Sequence, residues 1–491
     1  MRFTRRELIG AGIAGLAANG LPLPPSAKPK KAKNIIFCVA DGMGIATLSM
    51  ADQFQKIHHG RSSYWAQLLD QPDVVNALQE TRSLNSLVTD SSAASSAWGS
   101  GRHIWNGQVN MFPDGTKLRT IANLMHSVGV RCGFVTTTTI THATPAGFGA
   151  QRMQRDMEEG IAEDYLAEGI EVIMGGGDKF LSATARKDKR DLYADFARAG
   201  YSVVRHKDEL AKVRGGKVLG VFGLSHLPFT VDRDNDPALI ASVPTLAEMA
   251  GKAISLLKGS RNGFLLQIEG GKVDHGNHAN DLAAAVYDQI AFEEAVRVAV
   301  EFARKDGETL VVITADHATG GPALNGDGKE YIDSTAGLKT LARMRASYTP
   351  LIAEMGLSAS PARVREVVEA RLGIQLTADE GAMISEAIAG KWRTGGSKFE
   401  RSVNSALGIV LGNHSRVQWT GGNHTSDHVL VTALGPGSEA FAGLTENVRM
   451  FDLMLAHKDL KWSNPTMSFA DAAQHYEKIR GQVAREALHW E

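Results

Sequence analysis

Short, nearly unbroken apolar runs recur along the chain, and each ends abruptly on polar residues. "NIIFCVA" at 34–40 is the first; others lie at 84–89, 130–138, 170–174, 201–205, 217–222, 263–268, 309–314 and 428–434. Runs of this length and character predict strands buried on both faces. Helical periodicity fills the intervals. It is clearest over 281–305, where Leu282, Val286 and Ile290 share a face. Strands alternating with helices predict an α/β fold, a large, mostly parallel central sheet with helices on both faces. Ligands of such sheets gather beyond the carboxyl ends of the strands.

The stretch 325–420 breaks the alternation. It is richer in charge, carries helical patterns near 362–372 and 378–392, and holds the loop-like "TGGSKFERS". It reads as an insertion between two strands of the main sheet.

Composition narrows the class. In 491 residues, 43% are hydrophobic and 22% charged, which supplies a large core. The 53 basic residues nearly balance the 54 acidic ones, which argues against nucleic acid as a specific partner and against a charge-driven membrane binder. The N-terminus stands apart. Arg5 and Arg6 precede a short apolar run, 9–18, the pattern of a twin-arginine export signal. That run is too short and Gly-rich to span a bilayer, so no membrane span is expected. Its "GAGIAG" matches a dinucleotide fingerprint, but no strand precedes it. The expected division is 1–33 as signal and basic linker and 34–491 as catalytic domain, with a periplasmic or secreted location. Cys38 and Cys132 both sit in β-like apolar runs and read as buried thiols, although a bridge between them stays open.

The residues that follow the apolar runs carry the chemistry. Asp41 follows the first, and Asp90-Ser91-Ser92 the second. "ITHATPAG" brings His142 and Thr144, and "EGGKVDHGNH" brings Glu269, Asp274, His275 and His278. "ADHATGG" brings Asp316 and His317, and "GGNHTSDH", with His424 and His428, precedes the last. Taken singly these are turn and cap residues. A parallel sheet would deliver all of them to one edge, and that joint placement points to a site. Imidazole with carboxylate suits Zn²⁺, and Asp, Glu and a Thr hydroxyl suit Mg²⁺. A cluster of divalent cations calls for an anionic substrate. Phosphate fits, because two ions about 3.5–4 Å apart clamp the attacking and leaving oxygens of an in-line displacement. "VTDSSAASSAWGSG", 88–101, offers a serine at a helix start, where backbone N–H groups face a phosphoryl group. Ser91 and Ser92 both remain open on this reading.

In this order the residues resemble the metal-dependent alkaline phosphatases, over roughly 34–324 and 419–450. The family's Asp-Ser-Ala signature, small-residue run and aromatic align ungapped from Asp90 to Trp98, which assigns the nucleophile to Ser91. The resemblance implies that Asp41 bridges a zinc and a magnesium, that Thr144 and Glu269 complete the magnesium site, and that Asp316 and His317 join Asp41 on the zinc that activates Ser91. It implies that Asp274, His278 and His424 hold the second zinc. Arg155, eleven residues after Thr144, would grip two phosphate oxygens and Asp90 would orient it. The implied cofactors are two Zn²⁺ and one Mg²⁺, the substrates are phosphomonoesters, and the reaction runs through a phosphoserine. The implied assembly is a homodimer, with 325–420 at the place of the family's variable crown. His142 and His275 stand where the best-known enterobacterial member has Asp and Lys, as in the animal enzymes. They are expected beside the metals, with an effect on magnesium affinity and pH optimum, and His428 is expected in a supporting role. A phosphodiesterase or sulfatase of the same superfamily is the competing reading. Neither Cys lies in the C-x-P-x-R context of sulfatases, and diesterases usually lack the third-metal Glu and the phosphate-gripping Arg. An exported binding protein without turnover would have no need of Ser91, Arg155 and every ligand.

Overall fold

The computed structural model describes residues 31–326, 328–329, 331, 334–392 and 402–486. The paired arginines and apolar run near the start, and 394–401 of "TGGSKFERS", lie outside the described residues.

Ten strands form the central sheet. They are β1 (Asn34–Val39), β2 (Val74–Glu80), β3 (Arg131–Thr139), β4 (Val172–Gly176), β5 (Tyr201–Val204), β6 (Lys217–Val221), β7 (Phe264–Glu269), β8 (Thr309–Thr314), β9 (Val429–Leu434) and β10 (Gly443–Glu446). Their spatial order is β10-β2-β9-β8-β1-β7-β3-β4-β6-β5. Only β9 runs antiparallel to its neighbours, β8 and β2. β1 lies at the centre, with Ile36 in register with Leu266 of β7 and Val311 of β8. All its residues are buried because both faces are covered. Ile35, Phe37 and Val39 face one core, which includes Trp98, Phe148 and Tyr165. Ile36 and Cys38 face another, with Met249, Ala253, Phe292 and Val296. Period-two alternation within one apolar run thus serves two cores. Cys38 and Cys132 are both buried free thiols.

One expected strand is absent. Residues 84–89 form bends, and Leu87 is 74% exposed. The strand of that region is β2, whose burial alternates because one face meets solvent: Ala77 and Gln79 are buried, Asn76 and Leu78 exposed. Its "VVNALQE" lacks the unbroken apolar run of a doubly covered strand. The 81–90 connection instead delivers Asp90 to the helix that follows.

Helices that matter below are α1 (Ile45–His59), α2 (Ser91–Ser100), α3 (Ala143–Gly149), α4 (Leu246–Leu257), α5 (Lys272–His278), α6 (Leu282–Asp306) and α7 (Phe469–Glu486). Every residue of α2 is buried. Its small side chains are required by α3: a Cβ on Gly99 would stand 1.8 Å from the Gly147 carbonyl oxygen. Ser95 Oγ closes the contact by donating to the Thr144 carbonyl at 2.5 Å. Among the described residues one stretch, Pro237–Leu257, is long and apolar enough by composition to cross a membrane. It is broken at 243–245, and its second half is the core helix α4, with Met249, Ala250 and Ala253 fully buried.

Between β8 and β9 the described residues form five α-helices and one short 3-10 turn over 334–392 and 402–415. They share a core with the main body: Leu341, Leu351, Val364, Val367, Leu407 and Val410 cluster with Met50, Phe54, Leu282 and Val286 of α1 and α6.

At the amino-terminal edge of the sheet, His126 is held between two carboxylates. Its Nδ1 lies 2.8 Å from Glu168 and its Nε2 3.1 Å from Glu171, which also accepts the Cys132 N–H at 2.9 Å. Burial lowers the imidazole pKa, but hydrogen bonds with the Cys132 thiol and both carboxylates outweigh it and push it up to about 12. Burial raises Glu168 and Glu171, and His126 outweighs that and lowers both. This fixes a sign. The raised histidine contributes fully below its unfolded value of 6.5, and its contribution is lost as pH rises from there through about 12. The depressed glutamates contribute above their unfolded value of 4.5 and lose that as pH falls. His126→Gln should therefore cost most stability between these two values and progressively less toward pH 10. Denaturant unfolding across that range measures it; an equal cost at pH 6 and pH 10 would refute the charged state of His126.

Candidate active site

Four neighbouring strands, β8, β1, β7 and β3, end at the same edge of the sheet, and each hands over donor groups: Asp316 and His317, Asp41, Glu269, and the His142–Thr144 turn. Because β9 is antiparallel, the residues that precede it arrive at this edge too. That is how His424, 107 positions after His317, comes to lie with its ring 3.6 Å from that of His317, centre to centre.

The donors fall into three groups, in each of which one atom per residue lies within 4.8 Å of the others: Asp41, Asp316 and His317; Asp274, His278 and His424; and Asp41, His142 and Glu269. Asp41 belongs to two of them. In the first, His317 Nε2 is 3.0 Å from Asp316 Oδ2 and 3.7 Å from Asp41 Oδ1. Gly42 makes this possible: φ is +67°, and a Cβ there would stand 2.3 Å from Asp274 Oδ1. Its N–H donates to Asp316 Oδ1 at 3.0 Å.

In the second group the outer nitrogens are committed to backbone carbonyls, His278 Nδ1 to Gly422 at 2.5 Å and His424 Nδ1 to Thr89 at 2.8 Å. With Nδ1 carrying the proton, both Nε2 lone pairs turn inward. They face each other at 3.0 Å, and Asp274 Oδ2 is 3.2 Å from His278 Nε2. Two opposed lone pairs beside a carboxylate are a ligand set for a cation. Thr319 fixes the other Asp274 oxygen by donating at 2.6 Å. Burial raises Asp274, but the neighbouring histidines outweigh it and hold its carboxyl well below the usual range. Without a cation, burial lowers His278 and Asp274 outweighs that to bring it up to about 9, so a proton then stands on Nε2 facing Asp274, and a bound cation would take that proton's place.

In the third group His142 Nδ1 is 3.4 Å from Glu269 Oε1 and 3.9 Å from Asp41 Oδ2. Thr144 donates to Asp41 Oδ2 at 3.2 Å. His142, expected beside the metals, thus belongs to the third donor group itself. Among the described residues, Asp41 Oδ1, Asp316 Oδ2, Glu269 Oε1 and His142 Nδ1 are buried without a hydrogen-bond partner. Such orphaned acceptors are costly unless something positive meets them. The donor set fits divalent cations. Burial and then the charges of Asp316, Asp274 and Glu269 drive the Asp41 pKa well up, the mark of an uncompensated carboxylate cluster.

The serines differ in address. Asp90 caps α2, its Oδ1 accepting from the Ala93 N–H at 2.9 Å. Ser91 Oγ points at the first group, 3.2 Å from His317 Nε2. Ser92 Oγ points away and donates to Asp90 Oδ2 at 2.6 Å. Arg155 closes the site from the side of β3. Its guanidinium donates to Asp90 Oδ2 at 3.2 Å and lies 3.1 Å from His142 Nε2.

The family model described as alkaline phosphatase matches residues 32–460. Alkaline phosphatase 3 of Bacillus subtilis (strain 168) is 32% identical over 454 residues, 90% of this chain and 94% of its own. The chain belongs to the alkaline phosphatase family. It is accordingly a phosphomonoester hydrolase. The crystal structure of the Thermus thermophilus alkaline phosphatase superposes with a TM-score of 0.86 at 33% identity, covering 93% of this chain and all of that one. A cold-active alkaline phosphatase from a psychrophilic Shewanella species gives 0.72 at 27% identity, covering 86% of this chain and 99% of that one.

Within this alkaline phosphatase site one histidine escaped the sequence reading. His226, in the loop after β6, packs edge-on against His275 at 4.5 Å and His142 at 5.8 Å. Burial, with His142 and Lys272 next, lowers the His226 pKa, and burial, with Lys272, lowers that of His275, so both rings are neutral. Applying the strand-end criterion to 217–222, "VLGVFGLSH", would have found it. Thr136 and Thr138 were also missed; both donate to Glu269 Oε2 from the end of β3. His428 is exposed, with no hydrogen bond or ion pair among the described residues.

Proposed function

We propose that this family member is an exported alkaline phosphatase that hydrolyses phosphomonoesters through a phosphoserine on Ser91. The observation that carries this reading is the orientation of the two adjacent hydroxyls, of which only Ser91 faces the cluster of carboxylates and imidazoles. Asp41, Asp316 and His317 would hold one zinc, Asp274, His278 and His424 a second, and Asp41 and Glu269, with Thr144 and His142, a magnesium. Bound there, the cations would supply Lewis-acid charge to the phosphoryl oxygens and ease deprotonation of the attacking hydroxyl.

The protein's own groups do the rest. Ser91 is the first residue of α2, so a phosphoryl group on its Oγ would lie beside the first-turn N–H groups of that helix. Its oxygen forms a bond to phosphorus as the ester P–O bond breaks, and the alcohol departs with a proton. Water then attacks the same phosphorus from the opposite direction, phosphate leaves, and Ser91 recovers its proton. Arg155 offers two donors to the equatorial phosphoryl oxygens, and Asp90 holds the guanidinium in plane. The paired arginines support a periplasmic or secreted location, and the family resemblance supports a homodimer.

Steady-state hydrolysis of p-nitrophenyl phosphate, its bis ester and the sulfate by the zinc- and magnesium-loaded protein tests this reading. The monoester should lead both analogues by roughly 10³-fold or more in kcat/KM, since the monoester dianion brings three equatorial oxygens and two charges to the cations and Arg155, whereas the diester has one oxygen esterified and both diester and sulfate carry a single charge. A diester or sulfate preference would overturn it.

A further inference from the structure

The last part of the described chain lies beyond the stretch the family model matches, which ends at 460. Residues 462–468 run back along the helix that carries Ser91, from Ser100 to Ala93, and α7 then lies against Trp105. Asn464, 3% exposed, is the clasp. Its amide nitrogen donates to the Ser100 and Arg119 carbonyls at 2.8 and 2.9 Å, and its side-chain oxygen accepts from the Arg119 N–H at 2.8 Å and the Trp462 indole at 3.0 Å. Arg102 reaches its main-chain oxygen at 2.9 Å. A side-chain amide this fully satisfied holds one geometry. Met467 then packs on Ala93, Ile104, Phe112 and Leu118. Phe469 and Tyr476 of α7 both stack on Trp105, with centroids at 6.0 and 4.7 Å.

The two residues after Trp105 are the ones from which the phosphate-binding pair hangs. Asn106 Oδ1 accepts the Asp90 N–H at 3.2 Å, and Asn106 Nδ2 donates to the Val88 carbonyl at 3.0 Å. The Gly107 N–H donates to Asp90 Oδ2 at 3.0 Å, and the Gly107 carbonyl accepts the Arg155 N–H at 2.7 Å. Segment 105–107 lies in no helix or strand of the fold, so its placement depends on what holds it. We propose that the C-terminal strap sets the grip on phosphate by fixing 105–107, with Trp105 and Asn106 as positioning residues for Asp90 and Arg155. This rests on the reading of Arg155 as the phosphate ligand. A bidentate guanidinium is sensitive to displacements of an ångström, whereas Ser91, although it follows Asp90, is also held by the rest of α2, which is buried along its whole length and wedged against α3.

The test is the full-length, metal-loaded enzyme with Phe469→Ala and Tyr476→Ala combined, against Phe469→Tyr with Tyr476→Phe, which keeps both rings. KM for p-nitrophenyl phosphate and the inhibition constant of inorganic phosphate should rise together by roughly tenfold in the alanine pair, with kcat within about threefold of wild type. The ring-keeping pair should behave as wild type. Should the alanine pair fail to fold, Tyr476→Ala alone gives the same readout. Wild-type KM and phosphate inhibition in a folded alanine variant, even one that melts earlier, would overturn the proposal. Absence of monoester hydrolysis by wild type would instead bring down the functional reading, and calorimetric phosphate binding would still report on the strap.

Discussion

Ser91→Ala should lower turnover of p-nitrophenyl phosphate by roughly 10³-fold or more, while Ser92→Ala stays within about tenfold of wild type. The two hydroxyls are adjacent in sequence and chemically identical, so only their surroundings separate them. Ser91 Oγ lies 3.2 Å from His317. Ser92 Oγ is committed to Asp90 at 2.6 Å, and its loss costs one buried hydrogen bond, about 1 kcal/mol. Acid quenching after addition of labelled monoester provides the second readout. Label should remain on wild type and on Ser92→Ala and be absent from Ser91→Ala. The reverse pattern would move the nucleophile by one residue and with it the assignment of Asp90.

The second large effect concerns stability and changes sign with the cations. Asp41, Asp274, Asp316 and Glu269 are all buried at one edge of the sheet. Burial, then Asp316, Asp274 and Glu269, raises the Asp41 pKa, so without cations the folded state binds this proton more tightly than the unfolded chain does. Its ionisation destabilises the cation-free fold as pH rises above the unfolded value of 3.8. At pH 8, therefore, Asp41→Asn should stabilise the chelated protein, seen as a higher melting temperature than that of the chelated wild type. In the loaded protein the same change should destabilise, because a ligand shared by two groups is lost, and activity should disappear. Thermal melting with and without chelator checks both halves. A wild type whose melting is indifferent to chelation would contradict the cation-binding role of the cluster.

Much of this was legible in the chain. Apolar runs followed by acids and histidines announced β1, β3, β7 and β8, because strands covered on both faces need continuous apolar sequence and the donors must come next. β2 was misplaced for the complementary reason: a strand with one wet face alternates, and the exposed Leu87 and Val88 imitated a core run. The helices near 362–372 and 378–392 were readable from periodicity, and appear as Pro361–Leu372 and Ala378–Ile388. What they pack against was not, since the shared core joins residues far apart in the chain, such as Val364 and Met50 of α1.

The sequence alone determined the fold class and the identity of nearly every ionisable group at the site, since burial pattern and donor chemistry are local properties of short segments. Tertiary structure decided which serine faces the cluster, that His142 joins Asp41 and Glu269 in one donor group, that His226 joins His275, and that a C-terminal strap braces segment 105–107. Those depend on distances between elements remote in the chain. Strand order, the single antiparallel β9 and the close crossing of α2 with α3 set these distances, and no local pattern encodes them.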